Sequence, residues 1–301
     1  MTKEFDLIEA IKRKIPRHLQ GEIPIGDDAA SLSLQSGKKT LLTTDVIVEG
    51  VDFLFEKIRP EMAGRKALAI NLSDFAAMGA EPTAFLVTLG ISSALTKSWI
   101  LRFYKGMMDL AKQYNVKCVG GDITRAKDIF ASIALIGEAK PEEIIRRAGA
   151  RNGDWIAVTG VLGGSILKHH YSFEPRIKEA RFLTRRFRPT SMIDISDGLI
   201  QDLEHILKAS GVSAEMDLDQ IPISQAASGL KQALTDGEDF ELLFTIPAHF
   251  KATLEKEWPR QFPKVRLSWI GRVRSGKTGI RFRSKGKPVL LKFKKKGYQH
   301  F

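Results

Sequence analysis

Short apolar runs alternate with longer segments of helical period along the first half of the chain. In TLLTTDVIVEGVDF (40–53) the pattern predicts a strand, a polar break at residues 43–45 and a second extended run. Pro60 opens EMAGRKALAINLSDFAAMG, a predicted helix with proline at its first position and Gly79 as its stop before Pro82. AFLVTLGIS predicts a strand, SWILRFYKGMMDLAKQYN an amphipathic helix, and VKCVGGD and IFASIALIGEA two more strands. The charged, glycine-punctuated KPEEIIRRAGARNGDW predicts a boundary near residue 148, giving units at 1–148 and 149–301. Beyond it, DWIAVTGVLGG runs from a strand into a glycine loop, RIKEARFLTRRF is helical, and MIDISD is a strand. GLIQDLEHILKASG is a helix with Leu199, Leu203, Ile206 and Leu207 on one face, and GEDFELLFTI is extended. This mixed order with short connections predicts an α+β fold of two domains, each built from strands and helices, rather than one doubly wound sheet.

The carboxylates fall oddly on this pattern. Asp194 and Asp197 close the apolar run at 191–197, LLTTD ends at Asp45, KCVGGD at Asp122 and IPIGDD at Asp27 and Asp28. One such aspartate is ordinarily a turn residue or a helix cap, and Asp197 stands where it could cap the following helix. The recurrence beside glycines and threonines points elsewhere. Asn71 and Asp74 also fall on the helix stripe of Ala67, Ile70 and Met78, where an unpaired charge is costly. Magnesium answers this need, because it takes oxygen ligands from a few carboxylates and completes its shell with water and phosphates. The pairs Gly120-Gly121 and Gly163-Gly164 would let backbone approach phosphate oxygens. Residue types alone therefore indicate magnesium–nucleotide chemistry.

Composition narrows the class. With 301 residues, 43% of them hydrophobic, the chain can bury a sizeable core. No uninterrupted apolar stretch approaches the roughly 20 residues that span a bilayer. The N-terminal MTKEFDLIEAIKRKIP has no signal-peptide core, so a soluble, cytoplasmic protein is expected, with no membrane partner. A single cysteine, Cys118, excludes an internal disulfide and reads as a small core residue. The formal charge of +12 is concentrated near the C-terminus in RVRSGKTGIRFRSKGKPVLLKFKKKGYQHF. A basic tail can bind nucleic acid, but GIRFR and VLLKFKK alternate as strands with one solvated face. A basic rim attracting anionic substrates is the better reading, and nucleic acid is not expected as the partner. Gly271 to Thr278 matches the Walker A expression, yet strand-like sequence follows it and no aspartate occurs after Asp239. The match is read as a hairpin turn.

The ordered set GDDAA (26–30), TTDVIVEGVDF (43–53), NLSDFAAMGAEP (71–82), GGDITRA (120–126), IDISDGLIQDL (193–203) and GEDFEL (237–242), with the terminal KGYQHF, resembles the thiamine-monophosphate kinases. That family belongs to the aminoimidazole-ribonucleotide-synthetase-like ATP-binding superfamily. The resemblance implies an N-terminal sheet that pairs across a homodimer into a barrel, and a C-terminal α+β domain closing a cleft over ATP and several Mg²⁺. It implies phosphorylation of thiamine monophosphate by ATP, with metals held by Asp28, Thr43, Thr44, Asp45, Asp74, Asp122, Asp194 and Asp197. Tyr104, Gly121, Arg147 and Ser196 would touch ATP, and Glu238 and Tyr298 would face the acceptor. Other superfamily members act on purine intermediates or form selenophosphate; the latter expects an N-terminal cysteine loop, which residues 1–26 lack. Asp52 departs from the pattern, since similar sequences read EGVHF with a histidine contacting the substrate. A carboxylate at that position weakens phosphate binding unless a metal, lysine or arginine compensates.

Overall fold

The computed structural model describes residues 27–35, 37–93, 95–167, 169–293 and 296–298. Gly26, residues 299–301 and the N-terminal segment discussed above lie outside them.

The first half builds one sheet and two helices: β1 (Ala30–Gln35), β2 (Lys38–Val48), α1 (Pro60–Ala77), β3 (Glu81–Ile91), α2 (Lys97–Tyr114), β4 (Lys117–Arg125) and β5 (Phe130–Ala139). The strands lie in the order β1-β2-β5-β3-β4, and only the β3–β4 pair is parallel. The expected break at residues 43–45 does not occur. β2 pairs with β5 without interruption from Lys39 opposite Ala139 to Val48 opposite Phe130. Thr43 and Asp45 share the inner face with Leu41 and Ile47, so the strand keeps its alternation while carrying polar groups inward.

α1 and α2 cover that inner face, which β3 lines with Phe85, Val87 and Leu89 and β5 with Ile133 and Leu135. The side chain of Thr96 caps α2 through the Trp99 N–H, and Asn115 ends it in the left-handed region at φ 55°. α1 has proline at its first position and is buried on nearly every side, polar Lys66, Asn71 and Ser73 included. A helix with no solvated face must be covered twice. Here the five-stranded sheet and α2 cover one side, and elements of the second half cover the other.

That second half contains β6 (Trp155–Thr159), α3 (His169–Ser172), α4 (Ile177–Arg186), β7 (Ser191–Asp194), α5 (Leu199–Ser210), β8 (Ser213–Asp217), α6 (Leu230–Thr235), β9 (Leu242–Ile246), α7 (Lys251–Gln261), β10 (Leu267–Arg274), β11 (Gly279–Ser284) and β12 (Lys287–Val289). Its seven strands run β12-β11-β8-β10-β6-β9-β7, and β8–β11 is the parallel pair. Only the end of GEDFELLFTI is strand; residues 236–241 form a loop. One apolar core runs from the first sheet through α1 and α2 into Phe173, Leu183, Phe187, Phe244 and Trp258. A second lies beneath α5, where Leu203, Ile206 and Leu207 meet Ile156, Val158 and Ile270.

Among the described residues the first sheet is open. Two expectations need correction. The Walker-like segment is the turn between β10 and β11, as a non-helical reading requires, but it is not a hairpin: β8 lies between those strands and pairs with both. Cys118 is exposed rather than buried, because β4 is an edge strand whose residues are all exposed. Among the described residues, no helix is long and apolar enough to cross a membrane.

α1 and α2 cross at two glycines. A Cβ on Gly64 would stand 1.9 Å from the Phe103 carbonyl oxygen, and one on Gly106 would stand 1.9 Å from that of Glu61. Backbone cannot yield as a flexible side chain does, so Gly106→Ala must push the helices apart. The expected loss of stability is ~2–3 kcal/mol by chemical denaturation, at the upper end of overpacking costs. A variant of parental stability would show that the crossing is looser than this.

Candidate functional site

Carboxylates from three distant segments meet where α1 touches both halves. Oxygens of Asp28, Asp74 and Asp194 lie within 4.8 Å of one another. α1 places them by presenting polar side chains in both directions. Toward the first sheet, Asn71 accepts the Asp45 N–H at 3.1 Å, and Thr43 Oγ1 donates to Asp74 Oδ2 at 2.6 Å. Toward the second, Ser73 Oγ donates to Asp194 Oδ2 at 2.6 Å. Arg147 forks onto Asp28, with Nε and Nη2 each 3.1 Å from a different carboxylate oxygen.

The electrostatics are those of a site short of cations. Burial first, then repulsion by Asp45, Asp194 and Asp28, pushes Asp74 well above the carboxylate range against the Thr43 hydrogen bond. Asp194 is raised well above that range by burial and by Asp28, with Ser73 and Arg147 opposing. Burial raises Asp45 to about 6, a hydrogen bond with Asp74 opposing and Asp52 and Asp28 adding repulsion. Closely spaced hard oxygen donors with raised pKa values fit a divalent cation, which would reverse each of these shifts.

A second acidic group flanks the first. Asp197, Asp202 and His205 also bring ligand atoms within 4.8 Å of one another. Asp197 does not cap α5, whose N-cap is Gly198 with no side-chain bond. Instead Asp202 reaches back to accept the N–H groups of Asp197 and Gly198, both at 3.1 Å, while Gln201 Nε2 donates to Asp197 Oδ2 at 2.8 Å. The chain end closes over this loop: the Tyr298 N–H donates to the Asp197 carbonyl at 2.9 Å. Ser196 lies in the same loop, and its carbonyl accepts the Glu238 N–H at 2.7 Å.

Other expected residues lie apart from this cluster. The Thr44 side chain is on the opposite face of β2, 3.5 Å from Ser132 Oγ. Gly121 and Asp122 are on the exposed edge strand β4. Half-buried Tyr104 stands near that strand on α2, its hydroxyl pushed up by burial and by Cys118. The Gly163 and Gly164 amides are not offered to phosphate, because Asp239 and Asp236 accept them at 2.9–3.1 Å. Asp52 turns onto its own loop and accepts the Val48 N–H at 2.8 Å.

Sequence reasoning missed four polar residues beside the site. Asp202 and His205 sit four and seven residues into a helix read only for its apolar face. Lys66, on α1, ion-pairs with Glu238 at 2.5 Å, and His170 Nδ1 lies 2.8 Å from the other Glu238 oxygen. A lysine three or four residues from Ala63, Ala69 and Ile70, on one helix stripe with them, was the available signal for the first of this pair.

Residues 26–139 match the family model for the AIR synthase related protein, N-terminal domain, and residues 149–277 match that for its C-terminal domain. Fold and site together define a two-domain α+β protein of the AIR-synthase-related type. The thiamine-monophosphate kinase of Escherichia coli (strain K12) is 35% identical over 327 residues, covering 99% of this chain and 98% of that one. The thiamine-monophosphate kinase of Rhodopirellula baltica is 38% identical over 286 residues, covering 89% and 87%. The solved structure of AaThiL complexed with AMPPCP and TMP has a TM-score of 0.83 at 32% identity, covering 99% and 97%. The chain belongs to the thiamine-monophosphate kinase family.

The raised carboxyls set a pH dependence for the metal-free protein. Folding lifts Asp45 from 3.8 to about 6, so the folded state binds the proton more tightly than the unfolded chain. The stability this confers is complete below the unfolded pKa and is lost as pH rises through the folded one. In EDTA, urea unfolding of the parent should lose on the order of 2 kcal/mol more than Asp45→Asn between pH 4 and pH 7. Mg²⁺ should then stabilise the parent more than the variant. Equal pH slopes would show that Asp45 titrates normally.

Proposed function

We propose that the chain transfers the γ-phosphoryl group of ATP to thiamine monophosphate, giving thiamine diphosphate. The observation that carries this reading is the convergence of Asp28, Asp74 and Asp194 at the contact between the two halves, each held by a neutral or cationic donor. Membership of the kinase family supports the substrates.

Asp28, Asp45, Asp74 and Asp194 would hold Mg²⁺, with Asp197 beside them and the Thr43 hydroxyl orienting Asp74. Thr44 and Asp122 would complete the ligand set from the positions the resemblance implies. Bound Mg²⁺ would neutralise charge developing on the transferred phosphoryl group. Arg147, now on Asp28, would offer its guanidinium to nucleotide phosphate, with Tyr104, Gly121 and Ser196 as further nucleotide contacts. Glu238, Tyr298 and the Asp52 turn would face the acceptor. The acceptor phosphate oxygen is itself nucleophilic, so transfer is direct and in line, and the protein contributes positioning and electrostatics.

Residues 1–148 serve nucleotide binding and dimerisation in this reading, and 149–301 close the cleft. The outer face of the first sheet supports a homodimer with a shared barrel. Leu42, Val46 and Leu86 are exposed there, the kind of apolar surface that a second copy covers. The cytoplasm, where ATP and free Mg²⁺ are available, is the proposed location.

Purified protein given ATP, Mg²⁺ and thiamine monophosphate should form thiamine diphosphate and ADP in equal amounts. Asp74→Asn should lower kcat/KM by at least ~10²-fold, the scale of losing one electrostatic stabiliser, while still folding. ATP turnover at the parental rate by that variant would remove Asp74 from the metal site. No thiamine diphosphate from a parent that binds both substrates would overturn the activity itself.

A further inference from the structure

One buried polar cluster stands beside the carboxylates without belonging to them. Lys66 is 1% exposed, and burying an ammonium group without acceptors costs several kcal/mol. Two oxygen acceptors and one imidazole nitrogen surround it, from three separate segments. Nζ lies 2.5 Å from Glu238 Oε1, 3.1 Å from the Asp52 carbonyl oxygen and 3.0 Å from His170 Nδ1. The loop after β2, α3 and the 236–241 loop are thereby held at one point of α1.

Glu238 has a backbone φ of 65°, an uncommon conformation for a residue with a side chain. It is fixed on one side by Ser196 and on the other by Lys66. Burial pushes the Glu238 carboxyl up, but His170 and Lys66 more than offset this and leave it below the usual range, hence ionised. Its side chain is still 24% exposed. The half-buried Tyr171 ring lies 3.6 Å from the His170 ring and 5.5 Å from Lys66 Nζ. An ionised carboxylate beside an aromatic ring is the combination that recognises an organic cation, and the thiazolium ring of thiamine monophosphate is a permanent one.

Resting on the phosphotransfer reading above, we propose that Lys66 is a positioning residue for the acceptor: it holds Glu238, His170 and the Asp52 turn as a wall that orients the cationic ring for transfer. A purely structural ion pair at this depth would gain little over apolar residues of equal volume. A pair whose carboxylate must stay charged and fixed cannot be replaced in that way.

The test compares the parent, Lys66→Met and the double variant Lys66→Met/Glu238→Gln. Calorimetric titration with thiamine monophosphate and separately with AMPPCP is combined with steady-state kinetics and thermal melting. Lys66→Met should raise the KM and Kd for thiamine monophosphate by ~10-fold or more, as for a lost partner of a buried charge. AMPPCP affinity and the KM for ATP should stay within about twofold. The double variant should recover thermal stability without recovering acceptor affinity. Parental acceptor affinity in either variant overturns the proposal, as does a loss of both ligands in step with the melting temperature. If Lys66→Met does not fold, the double variant is compared with Glu238→Gln alone, and equal acceptor affinity in the two overturns the role of Lys66. A parent that makes no thiamine diphosphate refutes the phosphotransfer reading instead, whereas an active parent that tolerates Lys66→Met refutes only the role of Lys66.

Discussion

Three carboxylates with oxygens within 4.8 Å of one another cannot all carry full charge in a partly buried site unless cations are supplied. Much of the architecture can be read as a response to that repulsion. Arg147 gives Asp28 two hydrogen bonds, Thr43 and Ser73 give Asp74 and Asp194 one each, and the remaining charge is left for divalent metal. Each helper comes from a segment remote from its aspartate. The site therefore exists only when both halves are folded against α1.

α1 makes this possible because it lacks a solvent face. Lys66 and Ser73 are seven residues apart, nearly two full turns, so they lie along one line of the helix. That line meets the second half, at Glu238 and Asp194. Asn71 and Asp74 lie on another line and meet β2. A helix that serves two neighbours needs a third to approach closely, and Gly64 and Gly106 permit this at the α2 crossing. Polar side chains on α1 cost little here because each finds its partner across a packed surface.

The order of strands and helices was largely legible from hydrophobic period, and the cluster was legible as aspartates recurring at strand ends. What escaped was long-range. The break expected at residues 43–45 assumed that a polar triplet must leave the strand, but alternation sent Thr43 and Asp45 inward, where α1 supplies partners, and Thr44 outward. Gly163 and Gly164 were read as phosphate-facing by their type, whereas Asp236 and Asp239, more than seventy residues away, occupy their amides. Cys118 looked like core because its neighbours are apolar, and nothing local shows that β4 is an edge. Lys66, His170 and Glu238 are 104 and 172 residues apart when measured from the lysine. No local pattern could join them.

The placement of β8 bears on how the chain is made. β10 joins β8 to β6, and β11 then lies on β8's other side, so the middle of the seven-stranded sheet is filled by strands made after β6, β8 and β9. Until β10 emerges, β6 and β8 each present an unpaired edge, although the partners of the buried lysine and serine of α1 have already been made. A nascent chain in this state exposes what aggregation exploits, bare strand edges. Premature termination upstream of Leu267 would release that state permanently. Chaperone protection of the nascent sheet therefore matters most while β10 and β11 are being made, after every aspartate of the site has already been made.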